Sequence, residues 1–406
     1  MGEKIVFHDG GLVVPEQVVI PFIEGDGIGV DITPAMRRVT DAAVASLYGG
    51  RRRIAWREVL LGEKAVRELG AYLPPDALET LRAHVVSIKG PLTTPVGGGL
   101  RSLNVAIRQA LDLYSCIRPV TWLGAASPLA RPEHMNIVIF RENTEDVYAG
   151  VEYEAGSPEA LRLIALLREF GVPESRVTAD AALGLKPIGP TRSKRHVRKA
   201  LRWALEKSRR GVTFMHKGNI MKFTEGAFMR WGYEVLDEPE FRGRFVLEKD
   251  LGHTCTPEAI WVNDRIADNM FQQILTRTAD YDLIVTTNLN GDYLSDAAAA
   301  AVGGLGMAPG ANVGDGLAVF EAIHGSAPKY AGQDRVNPSS LILSAAMMLD
   351  YLGWTEAARA IVTTIRRTLD ARQGTYDLVR GWRADGQEGL TELSCSEFAA
   401  ALVDHL

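Results

Sequence analysis

The string NLNGDYLSD, residues 288–296, follows an apolar run at 283–287 and carries two carboxylates four residues apart. On a helix Asp292 and Asp296 face the same way, with Cβ atoms roughly 5 to 6 Å apart. Two like charges so close repel each other, and a hard divalent cation that takes oxygen ligands relieves the repulsion. The same spacing also suits a helix N-terminus, with Asp292 as the cap and Asp296 solvated. A third acid, Asp268, falls in a helical pattern at 261–276, off the apolar stripe of Ile266, Met270, Ile274 and Leu275.

Basic residues form the second group. Arg101, Arg108, Arg118 and Arg141 suit a polycarboxylate, because guanidinium binds carboxylate through two parallel hydrogen bonds. Taken singly, any of the 34 arginines could equally serve a surface ion pair. Lysine is scarcer, at 11 residues, and Lys89, Lys217 and Lys329 each lie beside a Gly or Pro at what read as strand ends. Lysine serves where arginine cannot, notably where a tunable pKa is wanted. Lys217, in MHKGN, is therefore a candidate proton acceptor, with a solvated loop lysine as the other reading.

The elements that must hold these groups alternate. Strand patterns at 18–23, 85–88, 138–140, 212–215, 283–287 and 317–323 are interleaved with helical patterns at 33–47, 192–209, 261–276, 338–352 and 355–371. That alternation gives an α/β class, and polar groups repeatedly follow strand ends, where α/β proteins build their sites. The turn EGDGIG at 24–29 is not G-x-G-x-x-G and reads as a tight turn. Residues 151–190 mix Gly, Pro and short segments and suggest an insertion. The basic run 192–210 keeps Val197, Ala200, Leu201, Ala204 and Leu205 at helical spacing, which predicts a solvated outer face in place of an RNA site.

Bulk properties narrow the class further. A chain of 406 residues exceeds what one core usually organises, so two lobes are expected. The net charge of -5 gives no reason to expect nucleic acid. Cys116, Cys255 and Cys395 have no C-x-x-C spacing, which argues against a disulfide framework or zinc site and for a reducing, cytoplasmic setting. The N-terminus lacks an apolar core of a secretory signal, so the mature chain is expected to begin near Met1. The most apolar stretch, 297–313, holds four glycines and a proline between Asp296 and Asp315, and no membrane span is expected.

Seven longer strings are more specific: IEGDGIGVDITPAM, IKGPLTTPVGGGLRSLNVAIRQALDLY, VIFRENTEDVYAGVEY, HKGNIMKFTEGAF, NLNGDYLSDA, GLGMAPGANVG and HGSAPKYAGQDRVNP. Over almost its whole length the chain resembles the β-decarboxylating dehydrogenases, in their bacterial and archaeal dimeric, NADP-linked branch acting on isocitrate. The resemblance implies a two-domain α/β fold whose doubly wound sheet lacks a Rossmann fingerprint. A large domain would take 1–113 and 303–406, a small domain 114–145 and 191–302, and a subunit-interlocking clasp 146–190. It implies Mg2+ or Mn2+ on Asp292, Asp296 and, across a homodimer, Asp268. Ser102, Asn104, Arg108, Arg118 and Arg141 would bind isocitrate, with Tyr148 and, in trans, Lys217 as the acid-base pair.

For NADP the resemblance implies Lys89, Thr93, Gln273, His324, Lys329, Tyr330, Asn337, Tyr376 and Arg380, with Arg277 supplied in trans. A 2′-phosphate needs cations and donors, whereas a free ribose hydroxyl is usually held by a carboxylate. No acid occupies position 329, where NAD-using relatives commonly carry Asp. The implied reaction oxidises isocitrate at C2 and releases the C3 carboxylate as CO2, leaving 2-oxoglutarate. Isopropylmalate and homoisocitrate are the neighbouring substrates, and the polar pair Ser102 and Asn104 favours isocitrate. A ligand-binding subunit without turnover would have lost some of Lys217, Tyr148 and the three aspartates, and none is missing.

Overall fold

Strands buried on both faces need runs without polar interruption, and the apolar runs of this chain become such strands. The computed structural model describes residues 2–8, 10–93, 102–251 and 259–406. Arg101, the glycines of PVGGG and Cys255 lie outside them. β1 (Val6–His8) and β2 (Gly11–Val13) form a hairpin of their own. The main sheet takes β3 (Gln17–Ile23), β4 (Arg53–Glu58), β5 (Val86–Lys89), β6 (Ser115–Thr121) and β7 (Asn136–Glu142). β8 (Glu152–Tyr153) and β9 (Leu183–Gly184) pair apart from it, whereas β10 (Gly211–His216), β11 (Phe245–Leu247), β12 (Ile260–Ile266) and β13 (Leu283–Thr286) rejoin it. β14 (Pro309–Val313) and β15 (Ala318–Ala322) complete it, and β16 (Gln373–Gly374) pairs with β17 (Thr391–Glu392).

The order across the sheet is β11-β12-β10-β13-β7-β6-β14-β15-β5-β3-β4. Pairing is parallel except at the centre, where β6 runs antiparallel to β7 and β14, and β14 antiparallel to β15. One half of the sheet comes from residues 17–89 and 309–322, the other from 115–286, and they meet at β6 and β14.

The helices are α1 (Gly29–Tyr48), α2 (Glu63–Leu69), α3 (Pro75–His84), α4 (Leu103–Ala110), α5 (Pro158–Glu169), α6 (Pro190–Glu206) and α7 (Glu225–Leu236). They continue with α8 (Ala267–Thr276), α9 (Asn288–Ala300), α10 (Ser339–Tyr351), α11 (Thr355–Asp370), α12 (Tyr376–Ala384) and α13 (Cys395–Asp404). α1 shows how the pattern works: Ile32, Met36, Val39, Ala43 and Val44 are buried at helical spacing, and Gly49 at φ 57° ends it in the left-handed region. α6 buries Val197, Ala200, Leu201 and Ala204, while Arg195, Arg198 and Arg202 pair outward with Asp112, Glu238 and Glu240. Its basic run is thus a solvated face.

Two expectations need correction. Residues 260–266 are the strand β12, in register with β10, and only 267–276 are helical. The run Ile260-Trp-Val262 suits a pleated surface, and that tertiary pairing overrides the helical stripe. Secondly, Thr287 is the N-cap of α9, so Asp292 lies in the second turn and does not cap the helix. The glycine-rich turn is tight, as expected: Gly25 has φ 92°, and a Cβ there would stand 2.6 Å from Pro91 O. Among the described residues no helix is long and apolar enough to cross a membrane.

Close approach also decides the placement of α9. A Cβ on Gly291 would stand 2.6 Å from Arg141 Cβ on β7. Alanine in a helix ordinarily gains about 1 kcal/mol over glycine. Overpacking costs about 1 to 3 kcal/mol, so Gly291→Ala is expected to lower the urea midpoint. A midpoint at or above that of the parent chain would show that α9 moves off β7 without cost.

Candidate functional site

Three guanidinium groups meet under α9. Arg118 comes from β6, Arg141 from β7 and Arg108 from α4, and their residues are 5%, 1% and 8% exposed. Charges this far from water need partners, since an unpaired buried ion costs several kcal/mol or more. Arg141 donates through Nε to Asn288 Oδ1 at 2.8 Å and through Nη1 to Asp292 Oδ1. Arg118 Nη1 reaches Ser295 Oγ at 2.5 Å, Asp296 Oδ1 at 3.3 Å and Asp292 Oδ1 at 3.7 Å. Arg108 Nη2 donates to Glu321 Oε1 at 2.7 Å, and Lys89 Nζ holds the other oxygen at 2.6 Å. Asn312 Nδ2 adds a third donor to Glu321 at 2.6 Å.

Helical spacing does put Asp292 and Asp296 on this one face. Burial raises the Asp292 pKa, but Arg141, the Tyr148 hydroxyl and Arg118 together hold it below the usual carboxylate range. Burial also pushes Asp296 up, and Asp292 adds to that against Arg118, so its carboxyl sits above the usual range. Tyr148 donates to Asp292 Oδ2 at 2.6 Å, with the Arg141 guanidinium 4.8 Å from its ring centre. Burial and the bond to Asp292 push this phenol up to about 12 against the pull of Arg141, so it is protonated at neutral pH.

Lys217 and Asp268 are brought together elsewhere. His216 and Ile266 are register partners on parallel strands, so the next residues emerge side by side, and Lys217 Nζ pairs with Asp268 Oδ2. Asp268 is 72% exposed by side chain, and Ile220 and Phe223 beside this loop expose 70% and 89%. Among the described residues no three His, Cys, Asp or Glu form a metal cluster, and no hydrogen bond or ion pair joins Lys217 or Asp268 to the arginine group.

Ser102 is the N-cap of α4 without a side-chain cap bond, and Asn104 lies in the first turn with Oδ1 buried and unpaired. Arg108 Nε, Arg118 Nε and His324 Nε2 are also buried without a partner among the described residues. Lys329 Nζ lies 5.6 Å from the Tyr330 ring centre, and Tyr330 packs 6.2 Å from Tyr376. Arg380 is exposed on α12, and Asn337 donates to Asp377 Oδ2 at 3.1 Å. Thr93 Oγ1 bonds Ser326 Oγ at 2.8 Å. Lys89, expected to face a cofactor, is 3% exposed and closed against Glu321. Gln273 bonds Asn269 and Tyr281, and Arg277 pairs with Asp280, both on or just after α8 and away from Lys329 in all their contacts here.

A model of the isocitrate/isopropylmalate dehydrogenase family matches residues 19–402. The chain belongs to that family. The isocitrate dehydrogenase [NADP] of Pseudomonas aeruginosa is 56% identical over 99% of this chain and 97% of its own. That of Archaeoglobus fulgidus is 52% identical over 100% and 97%. Among solved structures, isocitrate dehydrogenase from Methylococcus capsulatus superposes with TM-score 0.77 at 35% identity, covering 95% of this chain and 98% of that one. The TT0538 protein from Thermus thermophilus superposes at 0.78 and 33% identity, covering 99% and 72%.

Within this family site, sequence reasoning missed Asn288 and Ser295, which hold Arg141 and Arg118, Arg335, whose guanidinium lies 4.5 Å from the Tyr376 ring, and Glu321. Glu321 had a signal, being the one acid inside the apolar strand 317–323. Lys89 and Arg108 hold its carboxyl well below the usual range although burial opposes them. Its contribution is therefore present above the unfolded carboxylate pKa of about 4.3 and is lost as pH falls through the lower folded value. Glu321→Gln leaves two buried cations without their counter-charge and is expected to cost about 3 to 5 kcal/mol. Urea melts at several pH values check this; a loss below about 1 kcal/mol, within the range of an exposed pair, would refute it.

Proposed function

We propose that this chain catalyses the oxidation of isocitrate at C2 and its decarboxylation to 2-oxoglutarate and CO2, with NADP as oxidant and a divalent cation required. The observation that carries the reading is the buried trio Arg108, Arg118 and Arg141, two of whose Nε groups have no partner among the described residues beside the Asp292–Asp296 face. A polyanion supplies the acceptors those donors lack, and full-length relatives named isocitrate dehydrogenase [NADP] support it.

Each group has a distinct task. Arg108, Arg118 and Arg141 bind the substrate carboxylates, and Ser102 and Asn104 at the start of α4 receive the carboxylate arm that distinguishes isocitrate from isopropylmalate. Asp292 and Asp296 are hard oxygen donors side by side on one helical face, and a dication relieves both the burial and the repulsion between them, so they fit Mg2+ or Mn2+. When bound, the cation acts as a Lewis acid at the C2 oxygen and NADP accepts the C2 hydride. Lys217, paired with Asp268, takes the hydroxyl proton, and Tyr148 returns a proton to C3 after CO2 leaves. Lys329, Tyr330, Tyr376 and Arg380 hold the 2′-phosphate, with Lys89, Thr93, His324 and Asn337 along the rest of the cofactor.

Among the described residues no hydrogen bond or ion pair joins Lys217 or Asp268 to the arginine group, and their loop exposes Ile220 and Phe223. The working form is accordingly a homodimer in which Lys217, Asp268, Gln273 and Arg277 of one copy complete the site of the other. Residues 146–190 form the clasp between copies, and the lobes divide as 1–113 with 303–406 against 114–145 with 191–302. The chain works in the cytoplasm, free of membrane and nucleic acid.

Initial rates with isocitrate and isopropylmalate, each with NADP and NAD, with and without Mg2+, test this reading. Turnover is expected with isocitrate, NADP and Mg2+ together and is expected to vanish in excess chelator. Faster turnover of isopropylmalate, or full activity with chelator, would overturn it.

Tyr148→Phe separates the chemical steps. It keeps the ring over Arg141 and deletes the proton donor, so kcat is expected to fall about 10² to 10⁴ with KM near normal. Given oxalosuccinate, the variant should still reduce it to isocitrate with NADPH but form 2-oxoglutarate slowly. Equal loss of both reactions would assign Tyr148 to positioning.

A further inference from the structure

Glu225 begins α7 and is fully buried, and the chemistry above makes no use of it. Its two oxygens accept four donors. Oε1 takes Thr287 Oγ1 at 2.9 Å and Lys186 Nζ at 2.8 Å. Oε2 takes Lys217 N at 2.9 Å and Asn290 Nδ2 at 2.7 Å. The donors come from the end of β10, from the N-cap and first turn of α9, and from the segment before α6. Lys186 continues to Asp146 Oδ1 at 2.7 Å, and Asp146 Oδ2 accepts Leu289 N at 3.0 Å. Asp146 has φ 70°, a conformation that a non-glycine residue holds only when its surroundings fix it, and it stands two residues before Tyr148.

We propose that Glu225 is a positioning residue that holds Lys217, the Tyr148 loop and the Asp292–Asp296 helix in one arrangement, and so couples the two active sites of a dimer. The coupling rests on the reading above that Lys217 serves the neighbouring copy while Tyr148 and α9 serve their own. Simpler roles explain less of the geometry. A counter-ion for Lys186 needs one oxygen, and Asp146 already supplies one. A cap for α9 would not reach the backbone of Lys217. A buried carboxylate with every acceptor position filled resists displacement, and a shift of about 1 Å in a reacting group can cost about 10² in rate.

The test uses dimers assembled from a Lys217→Met chain and an Asp292→Asn chain. One site is then whole, built from Asp292 and Tyr148 of the first chain and Lys217 of the second. If this parent heterodimer is inactive, the shared-site reading fails before Glu225 is touched. In an active heterodimer, Glu225→Gln is placed in the first chain only, then in the second only. Glutamine keeps the size but offers one acceptor oxygen, so donors lose their acceptor. From either chain kcat is expected to fall about tenfold or more, with KM for isocitrate within about twofold. Thr287→Val removes one donor and keeps the shape; it should produce a smaller fall from both placements and carries the test if the glutamine variant does not fold. A fall from one placement alone would confine Glu225 to one site. A lower Tm with unchanged kcat per folded dimer would reduce it to a structural part.

Discussion

Three guanidinium groups held out of water by the middle of β6, the end of β7 and α4 set the terms for everything around them. Such charges persist only where carboxylates reach them with good geometry, and the chain supplies these from two distant places. Asp292 and Asp296 arrive on α9, which lies close to β7 because Gly291 has no Cβ to hold it off. Glu321 arrives from β15 and holds Arg108 and Lys89 together. Four buried cations thus face three carboxylates, one of which stands above its usual pKa. Under the proposed function, the remaining donor capacity is what the anionic substrate uses.

The sheet explains why these groups converge. β7, β13, β10 and β12 are parallel neighbours and end on the same side, so Arg141 near the end of β7, the start of α9, Lys217 and Asp268 all lie at the C-terminal ends of these strands. The antiparallel pair β6 and β14 joins this set to the half containing β15 and β5, and so brings Glu321 and Lys89 to Arg108 and Arg118. Parallel strands require long crossovers. The residues that meet here are consequently far apart in sequence, Arg108 and Glu321 by 213 positions.

Local patterns made part of this legible. The spacing of Asp292 and Asp296 placed both acids on one helical face, and apolar runs marked β3, β10 and β13 within a few residues. Other features had no local signature. β12 was read as helix because its residues continue the apolar stripe of α8. β6 and β14 went unassigned, since a run that contains Pro119 and a stretch holding Gly310 are poor advertisements for central strands. The ion pair of Lys89 with Glu321 was not legible, because its acid partner lies on another strand of the sheet. Glu225 lies inside the string HKGNIMKFTEGAF, but nothing local marks it out there, and only the fold shows that four donors converge on it.

Asp292 and Tyr148 cannot be treated as separate parts. Arg141 and Arg118 occupy Oδ1 of Asp292, and the phenol donates to Oδ2. Without a ligand, both oxygens of this carboxylate are held by groups of its own chain. Its negative charge is one reason the phenol stands near 12, after burial. Positive charge bound at Asp292 offsets that contribution and competes for the oxygen to which the phenol donates. The hydroxyl is then both released and made a better acid. By linkage the reverse also holds, because a phenol that stays on Oδ2 weakens whatever cation Asp292 binds. Under the proposed function, loading the site and arming Tyr148 as proton donor are in this way one equilibrium, governed by a single carboxylate.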